Sequence, residues 1–228
     1  MKLLAFETST ELCSAALWAD GALEVRETHA GQRHSELLLP MIDELLTVRG
    51  LKPADLDCVA YGAGPGSFTG LRIACGVAQG IAYAVGIPIG QVSTLLALAE
   101  RSHATHAVCC LDARMGEVYH AAYVSDGQKW DTLFEPRVCA PAAVPELPPA
   151  PWIGCGNGFA AYRDVLMSRY QGVLASVSGP LAPHAREVAR LGSREFERGN
   201  VVAAEDAAPL YIRDKVALNR EERERAAR

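Results

Sequence analysis

The sequence lacks an excess of positive charge. Its 228 residues include 22 Lys and Arg against 27 Asp and Glu, which gives a formal net charge of −5. A protein that grips nucleic acid on its own needs a broad basic surface, because contacts with phosphates supply most of the affinity that is independent of base sequence. This composition argues against such a surface, and we expect any contact with RNA to be shared with a partner.

Patterns of cysteine and histidine that mark metal or redox sites are also missing. The 7 cysteines form no C-x-x-C pair and no Cys/His spacing suited to zinc. The sequence contains neither the G-x-S-x-G motif of many hydrolases nor the Gly-Lys-Ser/Thr ending of a P-loop. An odd number of cysteines without a signal peptide is typical of the reducing cytosol, so we expect a cytoplasmic protein.

Charged residues are absent from one long stretch, positions 73–99. A membrane-spanning helix is one explanation for such a stretch. However, several glycines interrupt it, and residues 85–88 form a clear break that ends in Pro88. We therefore predict a buried helix followed by a buried strand, and no membrane association.

The two halves of the sequence show the same order of elements. In the first half an apolar run ends in Glu7, a polar turn follows, and Asp20-Gly21 gives a strong hairpin signal. In the second half an apolar run ends in Asp112, a turn follows, and Asp126-Gly127 comes at nearly the same distance. This repetition predicts a duplicated supersecondary unit of three antiparallel strands.

Helix and strand signals fill the rest of each half. Strands that alternate with helices in a duplicated order predict an α/β protein with two lobes, each a mixed sheet flanked by helices. We place the first lobe at residues 1–102 and a smaller second lobe at residues 103–205, and we expect residues 206–228 to return to the first lobe. The predicted helices are residues 34–48, 159–169 and 185–198, together with one that Ser67 or Thr69 caps and that runs to Val85. The further predicted strands are residues 56–61, 87–92 and 152–154.

Two segments have residues that could contact a phosphate group. Glu7, Thr8 and Ser9 offer a carboxylate, hydroxyls and N–H groups after the first strand, but the same side chains could instead satisfy local backbone groups. The glycine-rich residues 62–70 precede a helix whose N-terminus could bind an anion. The alternative is a tight turn that lets this helix approach the sheet closely.

Two helices carry more apolar surface than a single core-facing stripe requires. On a helical wheel, the apolar residues of the helix at 34–48 cover roughly 200°, whereas one stripe needs about 100°. In the next helix, Gly76 and Gly80 lie one turn apart, so another backbone could approach closely. We predict a helical interface with another protein, although burial of both helices within the chain is the alternative. The predicted contact residues are Leu38, Met41, Ile42, Leu45, Ile73, Gly76, Val77 and Gly80.

Four motifs, which occur in order along nearly the whole chain, resemble the TsaB (YeaZ) family. They are residues 4–10, 60–72, 112–119 and 209–213. This family belongs to the ASKHA superfamily, which has the duplicated fold of sugar kinases, Hsp70 and actin. The resemblance therefore implies a two-lobed ASKHA fold.

The resemblance also implies a role in tRNA modification. Members of the family are non-catalytic subunits in the formation of N6-threonylcarbamoyladenosine at adenosine 37 of tRNAs that read codons beginning with A. They support the transferase TsaD together with the ATPase TsaE, so ATP and threonylcarbamoyl-AMP are used by the complex and this chain needs no cofactor. The expected partners are TsaD, TsaE, a second copy of the chain when it is alone, and tRNA through the complex.

The chain differs from TsaD at a motif that binds a metal ion for catalysis. TsaD carries a metal-binding H-x-x-x-H motif, and in this chain Ser93 and Ala97 stand where the two histidines would be. Neither side chain can replace imidazole as a ligand. We therefore expect no catalytic residue and no metal site. The alternatives are an ATPase or phosphotransferase of the ASKHA type, which would use Glu7 to hold a metal, and a peptidase.

Basic residues near the C-terminus are candidates for direct contact with tRNA. Glutamates lie between them, which favours a solvated tail instead. These candidates are Arg213, Lys215, Arg220, Arg223, Arg225 and Arg228.

Overall fold

A computed structural model describes residues 1–179 and 181–213. The strands are β1 (Leu3–Glu7), β2 (Leu12–Ala19), β3 (Ala22–His29), β4 (Cys58–Gly64), β5 (Ile89–Ser93), β6 (His106–Arg114), β7 (Glu117–Ser125), β8 (Trp130–Cys139), β9 (Trp152–Cys155) and β10 (Leu174–Val177). The helices are α1 (His34–Val48), α2 (Phe68–Val85), α3 (Thr94–Ser102), α4 (Gly158–Ala161), α5 (Arg163–Arg169) and α6 (Ala185–Glu197).

The strands form two five-stranded sheets with the same topology. The first sheet has the order β3-β2-β1-β4-β5, and the second has the order β8-β7-β6-β9-β10. In each sheet the first three strands in sequence are antiparallel, and the last two run parallel to the central strand. The predicted α/β fold with a duplicated unit is therefore confirmed.

Local signals explain the bounds of the two long helices. The Ser67 side chain accepts a hydrogen bond from Gly70 N at the start of α2, and Gly86 ends that helix with a φ of 72°. The predicted helix 34–48 and the predicted end at Val85 are confirmed, and Ser67 is the one of the two candidate caps that begins α2. The hairpin at Asp20-Gly21 is confirmed as well, because both residues have a positive φ, which its tight turn requires.

The first sheet is covered on both faces. Helices α1 and α2 pack on one face, where the core includes Phe6, Leu38 and Tyr61. Helix α6 packs on the other face, against Leu3 and Ala60. Helix α3 contacts both α6 and the second sheet, so it forms the connection between the two lobes.

The second lobe ends earlier in the sequence than we predicted. Residues 103–205 were assigned to it, but α6 packs on the first sheet, and Val202 pairs with Ile89 of β5. Gly192 makes this packing possible, because a Cβ at that position would overlap the Ala60 side chain. The helix therefore belongs to the first lobe, and the second lobe ends before residue 185.

The predicted helix at residues 159–169 is divided into two. Helices α4 and α5 meet at Tyr162, which has a φ of −127° and interrupts the helical backbone. Its hydroxyl donates to Asp112 Oδ1 at 3.2 Å. The break thus lets Tyr162 reach the end of β6.

A histidine is buried in the core of the second lobe. His120 Nε2 lies 2.9 Å from the Tyr170 hydroxyl, and Nδ1 has no hydrogen-bond partner among the described residues. Burial lowers the pKa of the His120 imidazole to about 4, and the Arg137 guanidinium acts in the same direction. The ring is therefore neutral at pH 7.

We predict that this histidine makes the protein less stable in mild acid. Because the unfolded chain binds the proton at a higher pH than the folded one, stability is lost as the pH falls below about 6.5. Between pH 7 and pH 5, the free energy of unfolding should fall by about 2 kcal/mol more in the wild type than in His120→Gln. Urea unfolding followed by circular dichroism at both pH values measures this difference, and parallel pH profiles would contradict the assignment.

Candidate functional site

Part of the apolar surface of α1 that we predicted to contact a partner is buried within the chain itself. Leu38, Ile42 and Leu45 are buried in the chain's own core, beneath α1. The prediction that these three residues contact a partner is therefore corrected. Met41 is half-buried, and Leu39 and Val48 are exposed, so some apolar side chains of α1 do reach the surface of the protein.

Helix α2 exposes a stripe of small and apolar residues. Gly76 and Gly80 are exposed, and a Cβ at either position would have no atom within 4 Å. Ile73 and Val77 are half-buried beside them and pack against the core. The sequence analysis missed Tyr83, which is 75% exposed. Its spacing of three residues from Gly80 places it on the same stripe.

Helix α2 also carries almost no charge. Arg72 is the one charged residue of this helix. Among the described residues, α2 is the one helix that is long and apolar enough to cross a bilayer, and only 33% of it is buried inside the chain. The buried side of α2 packs on β4, whereas its outer side is uncharged from Ile73 to Val85. A surface helix normally carries polar residues on its outer side, so this helix is suited to contact another protein.

The turn after β1 is closed to ligands. Glu7, Thr8 and Ser9 are all buried, and Ser9 N donates to Glu7 Oε1 at 2.6 Å. Thr8 Oγ1 donates to the Gly70 carbonyl at 2.8 Å, and Ser67 N donates to the Ser9 carbonyl at 2.7 Å. The turn is thus covered by the start of α2.

The glycines of residues 62–70 allow this close packing. A Cβ on Gly62 would overlap the Glu7 carboxyl, one on Gly66 would overlap Ser9, and one on Gly70 would overlap the Thr8 carbonyl. Of the two interpretations of the glycine-rich segment, the geometry favours the tight turn. The helix N-terminus is occupied by the chain's own residues, since the Ser67 side chain and the Ser9 carbonyl bond there.

The Glu7 carboxyl is fully buried, which changes its titration. Burial raises the pKa of this carboxyl, although the Ser9 N–H acts in the opposite direction. Glu7 Oε2, Ser9 Oγ and Thr94 Oγ1 are buried without a hydrogen-bond partner among the described residues. Both hydroxyls are able to donate to a carboxylate, so burial, and not a shortage of donors, is what raises the pKa of Glu7.

A cavity of about 280 Å³ lies between the two lobes. Ser93 and Leu96 line it from the first lobe, and Tyr123 and Glu135 line it from the second. Ser93 Oγ accepts from Leu96 N, and Ala97 is buried in the core and is not among the lining residues. With one carboxylate and no imidazole, the lining does not fit a catalytic transition metal. Within residues 1–179 and 181–213, no group of three His, Cys, Asp or Glu side chains could hold a metal ion.

Most of the basic candidates for tRNA contact lie outside the described residues. These are Lys215, Arg220, Arg223, Arg225 and Arg228. Arg213 is described, and it forms an ion pair with Glu117 in the second lobe. Its guanidinium therefore already has an acidic partner.

Sequence comparison relates this chain to proteins of tRNA modification. Residues 25–219 match the family model of TsaD, described as tRNA N6-adenosine threonylcarbamoyltransferase. The tRNA threonylcarbamoyladenosine biosynthesis protein TsaB of Escherichia coli K12 is 35% identical over 227 residues, which cover 95% of this chain and 96% of the relative. TsaB of Haemophilus influenzae is 33% identical, with 95% of each chain covered.

Solved structures give the same relationship. YeaZ from Pseudomonas aeruginosa superposes with a TM-score of 0.86 at 35% identity, over 92% of this chain and 99% of that one. A second structure from the same organism, described as similar to the peptidase YeaZ, has the same TM-score and identity and covers 93% of this chain. The resemblance noted in the sequence is thus confirmed, together with the ASKHA-like fold.

The environment of Glu7 generates a prediction about stability. Because the folded state favours the protonated carboxyl, the wild type should lose stability as the pH rises above about 4.5 and through the folded pKa. Gln keeps a donor and does not titrate. Glu7→Gln should therefore become more stable relative to the wild type as the pH is raised from 5 to 8.

Urea unfolding at pH 5, 6.5 and 8 tests this, and other titrating groups cancel because both proteins contain them. Glu7→Ala serves as a control, because it removes both the donor and the packing and should destabilise at every pH. A stability difference between Glu7→Gln and the wild type that does not change with pH would show that Glu7 is not held in its protonated form.

Proposed function

The chain belongs to the TsaB (YeaZ) family, and from that premise we propose that it is a non-catalytic subunit in N6-threonylcarbamoyladenosine formation at adenosine 37 of tRNA. Relatives that cover almost the whole chain carry the name of this biosynthesis. In this role the chain binds the transferase TsaD and supports it together with the ATPase TsaE. ATP and threonylcarbamoyl-AMP are then consumed by the complex, in the cytoplasm.

The exposed stripe of α2 is the observation that supports a binding role most directly. Its two glycines leave the helix backbone accessible, and half-buried apolar side chains flank them. Helices approach each other most closely where side chains are small, so a helix of TsaD can pack here. Met41, a half-buried apolar residue of the adjacent helix α1, is the second candidate for this contact. A second copy of the chain would use this surface when TsaD is absent.

The closed turn after β1 supports a non-catalytic role. An ATPase of this fold needs an open carboxylate that can hold a hydrated metal ion near the phosphates. Here the Glu7 carboxyl is fully buried beneath Gly62, and its environment favours the neutral form. No comparable observation favours a peptidase.

We predict that tRNA modification requires this chain although the chain alone carries out none. The experiment combines purified TsaD, TsaE, threonylcarbamoyl-AMP, ATP and substrate tRNA, with and without the chain, and measures the modified nucleoside by mass spectrometry. Product should form only in the complete mixture. Equal product without the chain would overturn the proposed function. ATP turnover by the isolated chain would favour the phosphotransferase alternative.

We also predict that side chains added on the α2 stripe prevent binding of TsaD. Gly76→Leu should weaken binding at least tenfold, which is about 1.4 kcal/mol, because it fills the space that a partner helix needs. A Cβ at position 76 has no atom of the chain within 4 Å, and Leu is the better helix former, so folding should not suffer. Titration calorimetry with TsaD gives the affinity, and sedimentation gives self-association.

A charged substitution tests the neighbouring surface of α1. Met41→Glu should weaken binding of TsaD, because it places a charge in an apolar contact. Val165→Glu on α5 of the second lobe is the matched control, since Val165 is also an exposed apolar residue of a helix. If Gly76→Leu and Met41→Glu both bind TsaD as tightly as the control does, the interface lies elsewhere.

A further inference from the structure

A segment near the C-terminus crosses from one lobe to the other. Residues 207–213, which we call the strap, lie outside every strand and helix and contain one of the four motifs of the sequence. The strap begins at α2 in the first lobe and ends at the β6–β7 turn of the second. The proposed function gives this crossing no role.

The strap is held firmly at its first-lobe end. The Ala208 carbonyl accepts from the Tyr61 hydroxyl at 2.9 Å and from Gln91 Nε2 at 2.6 Å. Gln79 Nε2 donates to the Ala207 carbonyl at 3.0 Å, and Leu210 N donates to the Ala63 carbonyl at 2.7 Å. This end of the strap therefore bonds to α2, β4 and β5.

Within the described residues, Arg213 makes the polar contacts between the strap and the second lobe. The Arg213 guanidinium forms an ion pair with Glu117, contacts Met115 Sδ at 3.5 Å and lies 6.0 Å from the centre of the Tyr119 ring. The Arg213 side chain is only 13% exposed, which strengthens a charge-assisted hydrogen bond relative to one in water. Between the described residues of the strap and the second lobe there is no main-chain hydrogen bond.

The strap also lines the cavity between the lobes. Leu210 and Ile212 share this lining with Ser93 and Leu96 at the start of α3 and with residues of the second lobe, including Tyr123. Helix α3 and the strap are thus two segments that contact both lobes.

From this arrangement we propose that the strap is a latch that fixes the second lobe against the first, with the Arg213–Glu117 ion pair as its releasable end. The asymmetry of its attachments carries this proposal. Six hydrogen bonds join the strap to the first lobe, including those from Arg72 to the Tyr211 hydroxyl and from Cys75 to the Ala207 carbonyl, whereas within the described residues Arg213 alone makes its polar contacts with the second lobe. When the ion pair breaks, the strap stays on the first lobe, and the cavity opens. The latch belongs to the isolated chain and does not depend on the proposed function.

Hydrogen exchange of the full-length chain, followed by mass spectrometry, tests the latch. Arg213→Ala and Glu117→Ala should each speed exchange at least fivefold in two sets of peptides. One set covers the strap, and the other covers residues 130–136, which include the cavity-lining residues Thr132, Glu135 and Pro136. Arg26→Ala is the matched control. It removes an ion pair of 2.7 Å with Glu44 that stays within the first lobe, so it should leave both sets of peptides unchanged.

The charge-reversed pair Arg213→Glu with Glu117→Arg should restore slow exchange if the ion pair itself is the latch. If the reversed pair fails to fold, Glu117→Gln is measured in its place, because Gln keeps the size of the side chain and removes its charge. Exchange should then be as fast as in Glu117→Ala if the ion pair itself is the latch. Exchange in Arg213→Ala that stays within twofold of the wild type would overturn the proposal. Faster exchange in the strap alone would overturn it too, because α3 would then hold the lobes by itself.

Discussion

The close approach of α2 to the turn after β1 is the constraint on which the first lobe depends. Gly62, Gly66 and Gly70 each lack the Cβ that would overlap this turn, so the helix begins directly above buried residues. That contact fixes where α2 lies on the sheet, and hence which of its sides faces outward. The same contact removes the open anion site that a glycine-rich loop before a helix would otherwise provide. Geometry that is typical of phosphate binding is here used for packing.

The second lobe repeats this solution with different residues. Asp112 ends the apolar part of β6 as Glu7 ends β1, and each carboxyl accepts the N–H of the residue two positions later. Gly156 and Gly158 approach the Cys110 carbonyl so closely that a Cβ on either would overlap it. The two halves differ in exposure, because Asp112 is partly open to solvent whereas Glu7 is not. The two halves therefore share the hydrogen bond of the turn and differ in the exposure of its acid.

Helix ends and hairpins were predictable from the sequence, because they depend on local signals. Caps and breakers such as Ser67 and Gly86 determine helix ends, and two-residue turns determine hairpins, so these elements could be placed without tertiary information. The helical wheel of α1 could not separate Leu38, which the sheet buries, from Leu39, which stays exposed, because apolarity does not specify what covers a side chain. The place of α6 was missed since it depends on contact between Gly192 and Ala60, which are far apart in sequence.

The glycine stripe of α2 exposes little apolar area and leaves room for another backbone. An exposed helix lined with large apolar side chains would favour aggregation, because each would leave a large apolar area in water. Gly76 and Gly80 add almost no such area, yet they let a partner's backbone come nearer than any side chain would. At the proposed interface, contact energy would come from the flanking half-buried residues and only when the partner's shape fits, so selectivity would come from geometry. Because the turn after β1 is closed around its own carboxyl, the stripe of α2 is the feature on which the proposed binding role rests.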